Sequence, residues 1–144
     1  MKRFYQNWAS SLERAEPLAL LAIRILLAYG FYKPAMNKIR YFQNIVDWFS
    51  ELGIPFPTVN AILSTATESL GVILLALGLF TRIVAFPLMV VMIVAIVTVH
   101  WGNGFDAGNN GMEIPLYYMA MLLILATRGA GKWSLDHFFL KDRR

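Results

Sequence analysis

The run Ile83-Val-Ala-Phe-Pro-Leu-Met-Val-Val-Met-Ile-Val-Ala-Ile-Val-Thr-Val99 holds seventeen residues and not one charge. A helix rises 1.5 Å per residue and the hydrocarbon core is about 30 Å thick, so this run, closed by His100 and Trp101, reads as a transmembrane helix. Working outward from it, three further apolar runs appear. Pro17 to Met36 is interrupted by Arg24; Thr58 to Phe80 carries Asn60, Ser64, Thr65, Thr67, Glu68 and Ser69; Met112 to Arg128 has Glu113 near its start and Arg128 free to snorkel at its end. The predicted spans are therefore about 17–36, 58–80, 83–100 and 112–128 of a single domain covering 1–144. Composition agrees: 58% of the 144 residues are apolar and 15% charged, with a mean hydropathy of +0.54. Soluble domains carry about 25% charged residues, so this chain lacks the polar side chains to clothe a water-facing surface. The expected fold is an all-α four-transmembrane-helix bundle, and a water-soluble enzyme is excluded.

The segments between the spans have their own patterns. Met1 to Glu16 is too polar for a signal peptide's apolar region and has no small-residue cleavage site. Phe4, Trp8 and Leu12 make one narrow apolar stripe among Lys2, Arg3, Gln6, Asn7, Glu13 and Arg14, which predicts a short helix lying in the membrane interface. Arg40 to Gly53 predicts a second interfacial helix, with Phe42, Ile45, Val46, Phe49 and Leu52 on one face, Gly53 as C-cap, and Pro55 and Pro57 as breakers. The connector Phe80-Thr-Arg82 is so short that the second and third spans must be antiparallel neighbours. Gly102 to Gly111, with Asn103, Asp106, Asn109 and Asn110 among its glycines, predicts a mobile, water-exposed loop. The tail opens with Ser134 as an N-cap, is expected to bury Leu135, Phe138 and Phe139, and ends in Lys141, Asp142, Arg143 and Arg144.

Charge placement sets the expected orientation. With both termini cytoplasmic, nine cations (Lys2, Arg3, Arg14, Arg82, Arg128, Lys132, Lys141, Arg143 and Arg144) fall inside against three outside (Lys33, Lys38 and Arg40). The net charge of +4 does not indicate nucleic acid, because the cations gather at the ends and form no stripe interleaved with exposed aromatics. Absence of cysteine excludes disulfides, thiolate zinc, cysteine-ligated iron–sulfur clusters and C-x-x-C redox pairs, so any redox role must borrow its carrier. Metal sites fare poorly too: the acidic loop lacks calcium-loop spacing, and His100 and His137 are expected on opposite sides.

The candidate site is built from intramembrane charge. Arg24 lies about 10 Å from the inner edge and Glu68 about 15 Å from either edge, so a long arginine side chain predicts an Arg24–Glu68 pair. Such a pair serves either as a bridge fixing helix register or as the floor of a binding site. Lys33, His100 and Glu113 form a second polar layer at the outer mouth, where His100 and Glu113 are expected to converge. Tyr117 and Tyr118 should straddle the last span, one inward and one toward lipid.

Several short motifs carry a resemblance: Gly-Phe-Tyr-Lys (Gly30 to Lys33), Glu-Ser-Leu-Gly (Glu68 to Gly71), Leu-Gly-Leu-Phe-Thr-Arg (Leu77 to Arg82), His100, Asn-Gly-Met-Glu (Asn110 to Glu113) and Gly-Lys-Trp-Ser-Leu-Asp (Gly131 to Asp136). At these spacings, over nearly the whole chain, the sequence resembles the DoxX family. The resemblance implies a bacterial inner-membrane four-helix protein whose relatives include membrane subunits of thiosulfate:quinone oxidoreductase and proteins tied to oxidative-stress partners. Many members have no assigned activity. It suggests a redox-associated, quinone-linked subunit holding a small amphiphile, with Arg24 and Glu68 as floor and Lys33, His100 and Glu113 around the polar head. The competing classes are a small proton-coupled transporter or exporter, and an anchor whose basic, aromatic tail holds a cytoplasmic redox enzyme. A homo-oligomer is compatible with each.

Overall fold

The computed structural model describes residues 1, 3–5, 8 and 13–140. Lys2, Gln6, Asn7 and Leu12 of the predicted N-terminal helix, and Lys141 to Arg144 of the tail, lie outside the described residues. Phe4 and Trp8, the described part of the N-terminal stripe, are exposed.

The described chain is helical, in the order α1 (Glu16–Arg40), α2 (Phe42–Glu51), α3 (Pro57–Leu77), α4 (Thr81–Ala95), α5 (Glu113–Arg128) and α6 (Leu135–Leu140). Beyond Ala95 the path of α4 continues through a π turn, Ile96–His100, and a 3-10 turn, Trp101–Asn103; a second 3-10 turn, Ala107–Asn109, lies in the loop. Helices α1, α3, α4 and α5 form the bundle, α1 against α3, α3 against α4, α4 against α5, and α5 closing back on α1. Three segments among those described are long and apolar enough to cross a membrane: Glu16–Arg40, Pro57–Leu77 and Thr81–Asn103. The fourth, α5, has 16 residues, or about 24 Å of rise.

Each boundary has a local cause. Pro17 sits in the first turn of α1 with Glu16 beside it, and Lys38 and Arg40 occupy the last turn, so both ends suit the helix dipole. Leu20, Arg24, Leu27, Ala28, Phe31 and Ala35 make the buried stripe of α1 at three- and four-residue spacing. The helix passes through Pro34 and ends at Arg40, four residues beyond the predicted Met36. On α2, Phe49 is buried and Phe42, Ile45, Val46 and Leu52 are half-buried, the predicted face, but it rests on α3 and α1. Gly53, at φ +73°, ends that helix as expected.

The core is Leu20, Leu27, Ala28, Phe31, Leu75, Val84, Ala85, Leu88, Leu122 and Leu125. Two close approaches tighten it. A Cβ on Gly71 would fall 2.9 Å from Leu88, and one on Gly30 would fall on the Tyr118 hydroxyl, so both positions let a neighbouring side chain touch backbone. Tyr118 packs edge-on against Phe31 at 5.4 Å while Tyr117 is exposed, the predicted division of the two tyrosines. Much of the polar content of α3 is satisfied locally: Ser64 and Thr65 donate to Ala61 O, and Asn60 donates to Pro55 O.

Candidate functional site

Arg24 and Glu68, expected to meet, do not pair. Glu68 is 2% exposed, and both its oxygens accept from Lys38 Nζ, at 2.7 and 2.8 Å. Arg24, fully buried, turns to main chain: Nη1 donates to Leu75 O at 3.5 Å and Nη2 to Trp133 O. Helix register gives the reason. Because α1 runs on to Arg40, Lys38 falls two heptads beyond Arg24 on the same buried stripe, about 21 Å further along the axis. In an antiparallel pair, placing Lys38 opposite Glu68 puts Arg24 opposite the turn after Leu77. Sequence reasoning missed Lys38 because it ended the span at Met36. The signal was present in the spacing Arg24, Phe31, Lys38, which continues one helical face.

Around Arg24 the end of the bundle that holds α6 is tied together. The carboxylate of Asp136 accepts from Phe80 N–H (2.7 Å) and Thr81 N–H (3.0 Å), the orphan donors at the start of α4, and Asp136 N–H donates to Gly78 O (2.9 Å). Gly78 has φ +67°, and a Cβ there would fall 1.8 Å from Arg24 Nη1, so the turn closes over the guanidinium only with glycine. Ser134 caps α6 through His137 N–H, as expected. The tail does not bury Phe138 and Phe139. Both are exposed and pack on each other at 5.4 Å, because the segment is held through polar atoms that leave its aromatic side outward.

Two concavities share Phe80 and Ile83 in their linings near this end. The first, of about 680 Å³, is a vestibule bordered by Glu16, Leu20, Arg82, Arg128, Lys132 and His137, with Phe80 and Ile83 on its rim. Its charges are partly matched: Arg128 Nη1 lies 3.4 Å from Glu16, and Arg82 Nη2 donates to Arg128 O at 3.2 Å. The second, of about 470 Å³, is an apolar groove between α3 and α4 lined by Leu63, Ala66, Leu70, Leu74, Val84 and Pro87, and again by Phe80 and Ile83.

At the opposite end, the predicted polar mouth is divided. Lys33 is exposed on α1. His100 Nδ1 lies 2.7 Å from Asn110 O, brought there by the π turn, whereas Glu113 accepts from Ala107 N–H (3.1 Å) and Tyr117 OH (2.9 Å). His100 and Glu113 thus hold one loop by different partners. That loop is stitched: Met112 N–H donates to Gly104 O, Glu113 N–H to Phe105 O and Gly111 N–H to Asp106 O, while Asp106 accepts from Gly108 N–H and Asn109. The loop is water-exposed, as expected, but it is also ordered by its own hydrogen bonds. Asn and Asp side chains bonding nearby backbone close its path.

Fold and polar layout together define a small helical membrane protein with a charged knot at one end and a buried ion pair in its middle. A family model described as DoxX matches residues 19–101, more than half of the sequence, and the chain belongs to the DoxX family. It is similar to an uncharacterized protein of Haemophilus influenzae, at 34% identity over 86% of this chain and 85% of that one. It is also similar to the inner membrane protein YphA of Escherichia coli, at 33% identity over 85% and 91%. A protein of Bacillus subtilis named "Putative oxidoreductase CatD" is 27% identical over 88% of this chain and 91% of its own length. No solved structure matches. The chain is a DoxX-family membrane protein whose apolar helices contact the lipid bilayer.

Proposed function

We propose that this chain is an integral subunit of a redox-associated, quinone-linked system in a bacterial inner membrane, and that it holds a small amphiphile such as a quinone. The observation carrying this reading is that the two concavities share Phe80 and Ile83, a junction that sets an apolar groove beside a charged vestibule. An isoprenoid or acyl chain would lie between α3 and α4, and its polar head would turn past Phe80 toward Arg82 and Arg128. Apolar walls with a few polar groups at one end are the common make-up of small-molecule sites. The oxidoreductase name of the Bacillus subtilis relative and the inner-membrane name of the Escherichia coli one support the setting.

On this reading α5 is the fourth span and both termini face the cytoplasm, with α2 and α6 in the membrane interfaces. The roles first expected of Arg24, Lys33, Glu68, His100 and Glu113 are redistributed: Arg24 anchors the tail segment that walls the vestibule, Lys38 and Glu68 hold α1 to α3, and His100 and Glu113 order the outer loop.

The test is purification in mild detergent, organic extraction and titration with a short-chain ubiquinone. Co-purified quinone or saturable binding is expected, with binding weakened at least tenfold by Ile83→Trp, which fills the junction. Neither quinone in the extract nor binding of the added probe overturns the proposal.

A second reading, an anchor for a cytoplasmic enzyme, is favoured by one observation, the outward Trp133, Phe138 and Phe139. Truncating the tail would also uncap α4, so the discriminating variant is Phe138→Ala with Phe139→Ala. Loss of a co-purifying redox enzyme with quinone binding intact would select the anchor.

A further inference from the structure

The tail segment that follows α5 differs from the rest of the molecule in how it is attached. Elsewhere the helices are joined chiefly by buried leucine, alanine, valine and phenylalanine, with the Lys38–Glu68 pair added between α1 and α3. Here the attachments are polar: the Asp136 carboxylate on the first N–H groups of α4, Asp136 N–H on Gly78 O, and Trp133 O on Arg24. Of the large apolar side chains here, Leu135 is half-buried, while Trp133, Phe138 and Phe139 are 57%, 76% and 62% exposed and contribute little to holding the segment.

The arginine hook is itself uneven. Arg24 is fully buried, its Nε has no hydrogen-bond partner, and the groups that accept from it are neutral carbonyls. Keeping a guanidinium desolvated on such partners is costly, which lowers the free energy that separates this arrangement from one in which water reaches the group. The segment also begins at a place built to swivel. Gly129 and Gly131 flank Ala130 at φ +85° and +80°, backbone conformations that glycine adopts without a side-chain clash. Finally, the segment forms one wall of the vestibule and lies directly on a core residue: a Cβ on Gly131 would fall 3.1 Å from Leu20 Cδ1.

We propose that residues 131–137 are a hinged strap, pivoting at Gly129 and Gly131 and hooked by Asp136 and Arg24, that opens to admit water and solutes from the vestibule to Leu20 and Arg24 behind it. Closed, the strap covers Leu20 and finishes the wall beside Phe80; open, it uncovers Leu20 and hydrates Arg24. The attachment is polar and competes with water, so opening costs less than separating any two of the four bundle helices. This proposal concerns access alone and stands whether or not the vestibule receives a quinone.

The chain has no native cysteine, which makes a single introduced thiol a clean reporter. The experiment measures the rate at which a water-soluble maleimide labels Leu20→Cys in full-length protein held in lipid nanodiscs, with Leu122→Cys, fully buried among core leucines away from the strap, as the reference. In the parent background Leu20→Cys should label at least tenfold faster than Leu122→Cys. Adding Asp136→Ala should raise the Leu20→Cys rate a further tenfold or more and leave Leu122→Cys unchanged; Arg24→Gln should act in the same direction. Asp136→Asn, whose amide oxygen still accepts one N–H, should give an intermediate rate and guards against an alanine variant that fails to fold. Two results overturn the proposal. If both thiols accelerate together, the tail is an inseparable part of the bundle; if Leu20→Cys is indifferent to all three substitutions, the hooks do not govern access.

Discussion

A carboxylate 2% exposed in the middle of α3 would be expelled or neutralised without a partner, and Lys38 supplies one from the end of α1 with both Glu68 oxygens engaged. Buried pairs of this kind add little over apolar residues of equal volume, yet removing one member leaves a stranded charge, at a cost of about 3–5 kcal/mol. Glu68→Ala and Lys38→Ala are therefore each expected to lower the unfolding free energy by about 3 kcal/mol or more, while Lys38→Met combined with Glu68→Met should recover most of it. Unfolding in mild detergent, followed by circular dichroism across the four proteins, checks this. A double variant as unstable as the singles would mean that the pair contributes through contacts beyond its own charges. Glu68 was legible as a polar anomaly in an apolar run, whereas Lys38 was counted only among the cations outside the membrane. What was not legible was the pairing. It depends on interhelix register, which hydropathy does not encode, and a helix end misplaced by four residues was enough to hand Glu68 to the wrong cation.

Among the elements, the turns rather than the spans separate what sequence could and could not give. The spans followed from apolar length, the α2 face from its periodicity, and the antiparallel α3–α4 pair from a connector too short for any other path. The knot at the start of α4 did not, because Asp136 caps a helix that begins 55 residues earlier in the chain, and no local pattern announces a cap supplied from elsewhere. Nor did the stitched loop, since glycine and asparagine at the same positions are equally consistent with an open one. Two glycines that end helices allow a controlled comparison of turn and surroundings. Gly53 and Gly78 have nearly the same backbone, φ +73° and +67°, but a Cβ at Gly53 meets open space and one at Gly78 meets Arg24 and Ser134. Gly53→Ala is expected to lose only the left-handed backbone penalty, about 1 kcal/mol, and Gly78→Ala clearly more, toward about 3 kcal/mol as Arg24 is displaced. Thermal unfolding of the two variants side by side gives the difference. Equal losses would show that the turn over Arg24 yields without consequence.

At the scale of the whole molecule, the question is whether four unequal helices all cross one bilayer. Helices α1 and α3 and the α4 rod are each long enough to cross, whereas α5 has 16 residues, about 24 Å of rise against a core of about 30 Å. A crossing by α5 would rest on packing, because α5 is held by α4 and closes on α1, and on local thinning of the bilayer with snorkelling flanks. Arg128, the last residue of α5, is placed for this beside Glu16 at the start of α1. If α5 spans, both ends of the chain share a compartment and the loops around residues 53–56 and 104–111 share the other; if it does not, the two ends are separated. Reporter fusions distinguish the two directly: green fluorescent protein joined to either terminus should fluoresce in cells, because that reporter folds in the cytoplasm, and alkaline phosphatase inserted at Gly108 should be active because it matures outside it. Fluorescence from one terminal fusion alone would reduce the bundle to three crossings and move the vestibule, which is bordered by residues from the start of α1, the α3–α4 turn and the end of α5, out of any common membrane face. Both-end fluorescence would instead place the strap, its hooks and the charged vestibule together in the cytoplasm, where the excess of cations in the sequence puts them.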